Sequence, residues 1–488
     1  MKKLLLAMLP LLLLAGCKSG GSPAKEILSD ADLAGMSVGT MTGTIYDIEY
    51  TKQPGIDLSR FTTISDGIAA LRQGRVDAII CDEFSINGDV QRENGIKKAF
   101  RTNIGFPIGL AFRKADQALA DSMDAFLAKL TSSGQLDSII DKWLNPKTDY
   151  ASIKMLSDGK PAPDGQPLTV GVSINLAPLT YVVGNDWRGL ESEIYLLFGQ
   201  YIGRPVQINL MDFSALAPAL QAGAIDIMGG GIFITEERQK SFRFSQPYYS
   251  CYGACFVHDP DAGNAEGFWQ GLKHSFNNNL LVEDRWKFLA GGLGVTVEIT
   301  LLSLFFGTLL GAGLYLMRKS RRNWVRAIAS AYSAFMRGIP MVVLLMILFY
   351  VVLTGLDAVA VAVVAFSMSF ASFVASIMDT SIDAVGNGQR EAGLASGFSP
   401  WKTFRFIIGP QALRRALPHF KDEAVALVKG TSIVGYIAIQ DITRAGDMIR
   451  SRTFEAFLPL LIITIIYFIL AWLLSKLMDG LFKLGMKI

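Results

Sequence analysis

Residues 287–488 consist of long apolar stretches separated by short charged segments. Four windows contain no charged residue and approach the roughly 20 apolar residues that a helix needs to cross a bilayer. They are residues 299–317, 338–356, 358–378 and 456–475. A fifth window, residues 424–440, is interrupted only by Lys429. The pattern therefore predicts an all-α membrane domain with five transmembrane helices.

Residues 30–258 contain an internal repeat. The stretch 70–79 (ALRQGRVDAI) parallels the stretch 219–228 (ALQAGAIDIM), and each is typical of a helix end, a glycine cap and a short apolar strand with an aspartate. Both stretches belong to αβ units, so we predict two similar lobes built on parallel sheets. The lobes are assigned to residues 30–145 and 167–258. They are joined by a linker rich in Pro, Gly and Asp, 146–166, and followed by a tether, 259–286.

The N-terminus has the pattern of an export signal. Lys2 and Lys3 precede an apolar run, residues 4–14, which has the length of a secretory core and is too short to span a bilayer. The small residues before Cys17 resemble a bacterial lipoprotein signal, in which the cysteine is acylated. A plain signal peptide with an incidental cysteine is the alternative. Either interpretation makes residues 1–17 a signal and places the lobes in the periplasm or outside the cell.

Basic residues set the expected orientation of the membrane helices. The loop after the first predicted span contains no acid and six basic residues: Arg318, Lys319, Arg321, Arg322, Arg326 and Arg337. The loop before the fourth predicted span is also basic: Arg390, Lys402, Arg405, Arg414, Arg415 and Lys421. Both loops and the C-terminus are therefore expected in the cytoplasm. Residues 441–455 count against this orientation, because they are predicted outside and yet carry Arg444, Arg450 and Arg452.

Composition excludes several classes of protein. The chain has 46 Lys and Arg against 43 Asp and Glu, which leaves no basic excess for nucleic acid. Its 51% hydrophobic and 18% charged residues favour a soluble part joined to a membrane part. Three histidines and four cysteines, mostly far apart, argue against a zinc site and a disulfide scaffold, and we expect no cofactor. Cys251 and Cys255 would lie about 13 Å apart on a strand, beyond disulfide reach, and are expected to be buried thiols.

The basic loop carries the most specific motif of the chain. It contains Glu391-Ala392-Gly393, then Gly397, then Ile407-Ile408-Gly409-Pro410. The spacing resembles the EAA loop of ATP-binding-cassette (ABC) importer permeases, with Gly393 where that family has alanine and Gly409 where it has leucine. Nearby sequences such as RGIP from Arg337 and SPWKTF from Ser399 resemble polar amino-acid permeases. The resemblance implies that the loop docks on an ATPase subunit, through Glu391, Ala392, Gly397 and Pro410.

The residue types fit such a docking loop. Gly397 can end one short helix in a left-handed conformation, and Ser399 with Pro400 can begin the next helix. The expected result is a compact helical pair with Glu391 on its exposed first turn. An ordinary amphipathic helix at the membrane surface is the alternative. The chain has no Walker-type phosphate loop, so we expect the ATPase to be a separate chain and this chain to have no enzymatic activity of its own.

The two lobes resemble periplasmic amino-acid-binding proteins in reversed order. Residues 168–257 resemble the opening lobe of that family, residues 33–102 the second lobe, and residues 105–143 the segment that returns to the first. The resemblance implies a type II-like α/β binding protein that is circularly permuted, which closely spaced termini make physically tolerable. A tandem pair that lost complementary halves would give the same sequence. Whether the lobes pair within one chain or between two chains stays open.

The chemistry of an amino-acid ligand defines the candidate site. Its carboxylate requires an arginine and backbone N–H groups, and its ammonium requires a carboxylate. The resemblance assigns these roles to Arg238 and Asp82. It also implies an anion-binding turn at Thr42, Gly43 and Thr44, an aromatic wall at Phe213 and a close backbone approach at Gly231. Ser173 and Tyr181 complete the candidate ligand contacts.

Each candidate has a structural alternative. Arg238 could be a solvated arginine in a charged turn, Asp82 a helix cap, and Phe213 a core residue. The chain also departs from the family. Phe233 replaces a hydroxyl residue after Gly231, Ser173 replaces an acid, and Leu176 replaces an aromatic residue. These changes argue against a strongly cationic ligand.

The sequence as a whole is interpreted as a binding protein fused to its permease in a polar amino-acid importer of the inner membrane. The expected partners are an amino acid, a separate ATPase subunit, a second copy of the chain and membrane lipid, but not nucleic acid. A ligand-gated channel or membrane sensor and a non-binding relic are the alternatives. The identity of the amino acid stays open.

Overall fold

The structure is a computed structural model that describes residues 27–86, 88–145, 150–173, 178–183, 186–211, 213–259, 268–455 and 457–485. The predicted signal, with Cys17, lies outside the described residues, as does Leu176. The chain forms a two-lobed α/β domain followed by a helical domain, as the sequence predicts.

Twelve strands are described, and they are numbered in chain order. They are β1 (Ser37–Met41), β2 (Asp57–Phe61), β3 (Ala78–Asp82), β4 (Ile96–Ile108), β5 (Ala111–Arg113), β6 (Leu168–Val172), β7 (Tyr181–Val183), β8 (Asp186–Arg188), β9 (Val206–Leu210), β10 (Ile227–Gly229), β11 (Phe242–Phe244) and β12 (Tyr249–His258).

The α-helices of the two-lobed domain are α1 (Ile45–Thr51), α2 (Ile64–Arg72), α3 (Gly88–Asn94), α4 (Gln117–Ser132), α5 (Gln135–Leu144), α6 (Leu190–Ile202), α7 (Phe213–Gln221) and α8 (Glu236–Ser241). Those that follow are α9 (Phe268–Phe276), α10 (Trp286–Arg318), α11 (Asn323–Gly338), α12 (Met341–Ile347), α13 (Ala358–Asp383), α14 (Asn387–Ala395), α15 (Pro400–Thr403), α16 (Gly409–Gly430), α17 (Ile442–Thr453) and α18 (Phe457–Gly485).

Two five-stranded sheets form the cores of the lobes and have the same topology. The order is β2-β1-β3-β12-β4 in the lobe that begins the chain, called lobe 2, and β9-β6-β10-β5-β11 in the other, called lobe 1. In both sheets the first three strands are parallel, and the strand beside the third is antiparallel and comes from the other lobe's stretch of chain. Both sheets are therefore completed within one chain, in the permuted order that the sequence predicts.

The internal repeat has the predicted structure in both lobes. Helix α2 is followed by Gly74 at φ +65° and then β3, and α7 is followed by Gly223 at φ +75° and then β10. The aspartates of the repeat anchor the neighbouring strands: Asp77 accepts from the Ser37 N–H at 2.9 Å and Asp226 from the Thr169 N–H at 3.1 Å.

The returning segment packs on lobe 1. Trp143, at the end of α5, is fully buried and donates its indole N–H to Glu193 of α6 at 2.7 Å. The segment assigned as a linker is also packed against this lobe where it is described, because Ile153 and Met155 are buried. Lobe 1 is thus more extensive than its α/β units alone.

Cys81, Cys251 and Cys255 are free, buried thiols. Cys251 and Cys255 lie on the extended strand β12, so the prediction that they do not pair is confirmed.

Within the described part of the membrane domain, three helices are continuous and apolar enough to span a bilayer: Trp286–Arg318, Ala358–Asp383 and Phe457–Gly480. Two further pairs are bent, by 108° between Asn323–Gly338 and Met341–Val352, and by 54° between Pro400–Ile437 and Ile442–Thr453. The five predicted spans are reached if each bent pair counts as one span.

Glycines let the first and third predicted spans pack closely. A Cβ atom at Gly311 of α10 would lie 2.9 Å from the Ala371 carbonyl oxygen and 2.6 Å from the Val374 Cβ of α13. Small residues at such contacts are the usual way for membrane helices to approach each other. Ion pairs close the same helix pair at one end, with Arg318 2.9 Å from Asp379 and Lys319 3.1 Å from Asp383.

Replacing Gly311 by alanine is expected to lower the thermal unfolding midpoint of the purified full chain. The new methyl group would collide with backbone, and such overpacking costs about 1–3 kcal/mol. Gly313→Ala is the matched control, since nothing lies within 4 Å of its Cβ position on the same helix. Equal midpoints for the two variants would contradict the close approach of α10 and α13.

Candidate functional site

The cleft between the lobes brings together the two charged residues predicted to bind a ligand. Asp82 ends β3 of lobe 2 and Arg238 lies on α8 of lobe 1. The Tyr46 hydroxyl donates to Asp82 at 2.8 Å, and Arg238 donates to the Phe233 carbonyl oxygen at 3.2 Å. The Arg238 guanidinium also lies 5.6 Å from the centre of the Phe213 ring. A carboxylate and a guanidinium from different lobes therefore lie in one cleft, near enough for each charge to act on the pKa of the other.

Burial controls the ionisation of this pair. It raises the pKa of Asp82 to about 6, against the opposing effects of the Tyr46 hydrogen bond and the Arg238 charge. Burial also lowers the pKa of Arg238, although Glu237 and Asp82 oppose that change. Because desolvation penalises both charged groups, each would gain from a ligand that supplies the opposite charge.

The predicted anion-binding turn is partly occupied by the chain itself. Gly43 has φ +76°, and its N–H donates to the Asp47 carboxylate at 2.9 Å. Thr44 caps α1, and Asp47 is held in turn by Arg60 at 2.8 Å. Gly43 faces lobe 1, since a Cβ there would lie 3.7 Å from the Phe213 ring. The turn thus touches the opposite lobe, but the Gly43 N–H has an internal acceptor.

The backbone at Gly231 is fixed by an acid that the sequence interpretation missed. Glu191 is fully buried and accepts from the N–H groups of Gly230 at 2.6 Å and Gly231 at 2.8 Å. The hydroxyls of Tyr195 and Tyr248 also donate to it. Two acids, Glu191 and Glu193, in the first turn of a largely apolar helix were the available signal. Glu191 holds the edge of the cleft in place.

Aromatic residues line the cleft beside the charged pair. Phe233 is buried, with its ring centre 6.0 Å from that of Tyr46 and 5.9 Å from that of Phe106. Ser173 lines a cavity of about 70 Å³ with Phe213, and its buried hydroxyl has no hydrogen-bond partner among the described residues.

Tyr181 lies in a different environment. It is fully buried in the core of lobe 1, and its hydroxyl donates to the Tyr150 carbonyl oxygen at 2.7 Å. The fold therefore already uses the polar group that would have contacted a ligand.

The loop with the EAA-like spacing folds as two successive helices. Helix α14 ends before Gly397, which has φ +81°, and the Ser399 hydroxyl caps α15 by accepting from Lys402 at 3.3 Å. Ala392 lies on α14 and Pro410 at the start of α16. The predicted turn is confirmed. Glu391 is exposed, but it lies in the second turn of α14 rather than the first, because the helix begins at Asn387.

The departures from the EAA motif have a steric reason. A Cβ at Gly393 would lie 2.6 Å from the Thr403 Cγ2 atom and 2.9 Å from Ile407, so the two helices touch at this glycine. A Cβ at Gly409 would lie 2.9 Å from the Phe404 carbonyl oxygen.

Gly393→Ala is expected to destabilise the helical pair despite the higher helix propensity of alanine. Gly388→Ala on the same helix has nothing within 4 Å and is expected to stabilise it by up to about 1 kcal/mol. Hydrogen exchange of residues 387–408 in the full chain would measure both effects. Slower exchange in both variants would show that the contact at Gly393 has no energetic weight.

Comparisons with known proteins agree with this architecture. Residues 168–338 match the family of bacterial extracellular solute-binding proteins, family 3, and residues 303–486 match the family described as binding-protein-dependent transport system inner membrane component.

Two similar curated proteins are from Bacillus subtilis (strain 168). The L-cystine transport system permease protein TcyB is 33% identical over 201 residues, which cover 40% of this chain and 86% of that protein. The probable amino-acid ABC transporter permease protein YckA is 32% identical over 198 residues, with 40% and 87% covered. A crystal structure of an amino acid ABC transporter with histidines is 29% identical, covers 45% of this chain and 99% of its own, and has a TM-score of 0.39.

The resemblance found in the sequence is confirmed for both halves of the chain. The chain belongs to the binding-protein-dependent inner-membrane permeases of amino-acid ABC transporters, and it joins a family 3 solute-binding domain to the permease in one polypeptide.

Proposed function

We propose that the two-lobed domain binds the transported amino acid between Arg238 and Asp82 and delivers it to the permease of the same chain. The presence of a carboxylate and a guanidinium on facing lobes of the same cleft supports the proposal. A zwitterionic ligand would place its carboxylate on Arg238 and its ammonium on Asp82. Because Asp47 already accepts from the Gly43 N–H, Arg238 carries most of the anion binding.

The walls of the cleft favour a neutral amino acid. Phe213 and Phe233 offer apolar surface, and Ser173 offers one hydroxyl. Asp82 is the acid assigned to the ammonium, so a cationic side chain would need a second acid at Ser173 or Phe233. The relative TcyB is named for L-cystine transport, and a further relative from Bacillus subtilis, 32% identical over 192 residues, is named arginine transport system permease protein ArtQ. Cystine and arginine are therefore informative ligands to compare.

A second cavity lies between lobe 2 and the permease. It has a volume of about 330 Å³, shares Thr62 and Arg444 with the smaller cavity, and is also lined by Tyr436 and Asp441. Adjacent cavities at the contact of the two domains support direct delivery of a released ligand to the membrane pathway.

Arg238→Ala is expected to weaken amino-acid binding by the full chain in nanodiscs about tenfold to hundredfold. A hydrogen bond to a charged group contributes about 1.5–3 kcal/mol, and each 1.4 kcal/mol corresponds to tenfold. Calorimetric titration with the twenty amino acids identifies the ligand. Arg238→Lys keeps the positive charge but removes the planar guanidinium, so it tests whether the ligand carboxylate needs two parallel hydrogen bonds. Unchanged binding by Arg238→Ala would place the ligand elsewhere.

Binding is expected to depend on pH through Asp82. With a pKa of about 6, Asp82 is mostly protonated at pH 5, so affinity should rise about tenfold between pH 5 and pH 7. The groups that act on it are Tyr46, Arg238 and Glu83. Asp82→Asn should lower affinity and abolish this pH dependence, whereas the exposed Asp57→Asn should change neither. A pH profile that persists in Asp82→Asn would assign it to another group.

We further propose that a separate ATPase subunit docks on the helical pair around Glu391, that two chains form the membrane pathway, and that the binding domain faces the periplasm. Exposed apolar residues surround Glu391 on the same loop: Leu394, Phe398, Trp401 and Phe406. An exposed acid within an apolar surface fits a protein partner better than solvent. A ligand-gated channel or membrane sensor has no ATPase subunit to which this loop could bind.

Glu391→Ala is expected to weaken ATPase binding to the full chain about tenfold or more, because one charge-assisted hydrogen bond is lost. Amino-acid binding should not change. Asp422→Ala, an exposed acid on α16, is the control. Co-purification of the ATPase subunit and ATP-driven uptake in proteoliposomes would measure the effect. Normal uptake by Glu391→Ala would exclude this residue from docking.

A further inference from the structure

The helix before the first predicted span exposes two different stripes of side chains. This helix is α9, Phe268–Phe276, and is called the pre-span helix. Trp269, Lys273 and Phe276 are exposed at positions i, i+4 and i+7, so they share one side of the helix. They are called the aromatic stripe. The residue after each of them is also exposed, and these residues form a polar stripe: Gln270, His274 and Asn277.

The aromatic stripe has the composition of a surface that lies in a membrane interface. Trp269 is 77% exposed and Phe276 is 48% exposed. Residues 268–282 contain no acid and a single basic residue, Lys273. A lysine between aromatic residues can lay its stem along apolar surface and keep its ammonium in water. Tryptophan and lysine on one side of a helix are typical of segments at the boundary between lipid and water.

Contacts with the last span fix the level of the pre-span helix. The Ser275 hydroxyl donates to the Glu455 carboxylate, and the Asn279 side chain donates to the same carboxylate at 2.7 Å. Glu455 lies two residues before Phe457, where α18 begins. The charge-free window of this span starts at residue 456. The pre-span helix therefore ends at the level at which α18 enters the bilayer.

The first span confirms this level. Leu280 packs in one apolar cluster with Leu289 of α10 and Ile462 of α18. Between Leu280 and α10 the chain makes a turn in which Glu283 and Asp284 both have φ +56°, a conformation that is strained for residues other than glycine. Ion pairs hold Glu283 in this turn, with Arg452 at 2.6 Å and Arg285 at 3.0 Å. Protein contacts thus set the height of the segment from both spans.

The bilayer begins beside the pre-span helix. The first turns of α18 expose large apolar side chains: Phe457, Leu460 and Leu461. They follow directly after the acid that holds the pre-span helix. A helix at this height, with one aromatic and one polar stripe, separates lipid from water in the way that interfacial helices do.

We propose that the pre-span helix lies in the surface of the lipid bilayer, on the side that carries the binding domain. The aromatic stripe inserts among the lipids, the Lys273 ammonium reaches the headgroups, and the polar stripe faces water. Strand β12 ends at His258, so ten residue steps, or about 35 Å of chain at most, join the binding domain to this anchor. The anchor keeps the binding domain close to the bilayer whether or not its lobes hold a ligand.

Spin labels on the two stripes test this position. Trp269→Cys, Phe276→Cys and the control His274→Cys are labelled separately in the full chain in nanodiscs. Oxygen concentrates in lipid and a nickel chelate stays in water. The ratio of oxygen to nickel collisions should be about threefold or more higher at positions 269 and 276 than at position 274. The unsubstituted chain, treated in the same way, gives the background from its own cysteines.

Two results would overturn the proposal. Equal ratios at the three positions, with the nickel chelate reaching all of them, would place the whole helix in water. Few collisions with either agent at positions 269 and 276 would mean that protein covers the aromatic stripe, such as a second copy of the chain.

Hydrogen exchange measures what the insertion contributes. Trp269→Ser should speed the exchange of residues 268–276 in nanodiscs about fivefold or more, because the inserted ring no longer holds the helix in place. Gln270→Ser, on the polar stripe, should leave the rate unchanged. Unchanged exchange at residues 190–202 of lobe 1 would show that the fold is intact. Native exchange in Trp269→Ser would contradict the proposal. Because no step uses an amino acid, failure of ligand binding would count against the proposed function alone.

Discussion

The binding domain depends on an exchange of strands, in which each lobe's stretch of chain contributes one strand to the sheet of the other lobe. Strand β12 pairs with β3 and β4 of lobe 2, although it follows the main part of lobe 1, and β5 pairs with β10 and β11 of lobe 1. Neither sheet is complete without the other lobe's chain, so the lobes fold as one unit. The two crossings, after Ile108 and after Phe244, lie side by side, since Tyr249 pairs with Ile108. These crossings are the natural hinge of the cleft.

The same exchange explains why a permuted chain order is tolerated. A lobe needs its strands in the right spatial order and direction. The chain can begin at a different strand and still meet this requirement, provided that both crossings between the lobes are kept. In this chain the break lies before β1, so β12 is the last strand of the domain and leads toward the membrane. A strand held between β3 and β4, rather than a free terminus, therefore anchors the binding domain to the tether.

The sequence predicted those features that local pattern or family spacing determines. The repeat around Gly74 and Gly223, the cap after Gly397 and the apolar spans depend on residues near one another in the chain. The resemblance predicts Arg238 and Asp82 as ligand contacts, and the structure places them on facing lobes. Glu191 had only a local signal, as one of two acids in the first turn of a largely apolar helix, and its role could not be predicted because its partners Gly231 and Tyr248 are 40 and 57 residues away. The occupation of the Gly43 N–H by Asp47 was also missed, because a motif match does not show which donors the chain itself uses.

The arginines of residues 441–455 show that the positive-inside rule can conflict with the ion pairs that charged residues form in the folded chain. Counted as loop charges they oppose the predicted orientation, yet two are neutralised by acids: Arg450 by Asp66 and Asp447, and Arg452 by Glu283. Paired in this way, they carry little net charge to the membrane surface. Their side chains are only 14% and 10% exposed, so removal of either acid would leave a largely buried positive charge without its partner. The binding domain supplies Asp66 and the segment before the first span supplies Glu283, whereas Asp447 belongs to the loop itself. The charge balance of this loop is therefore a property of the fused chain and not of its permease half alone.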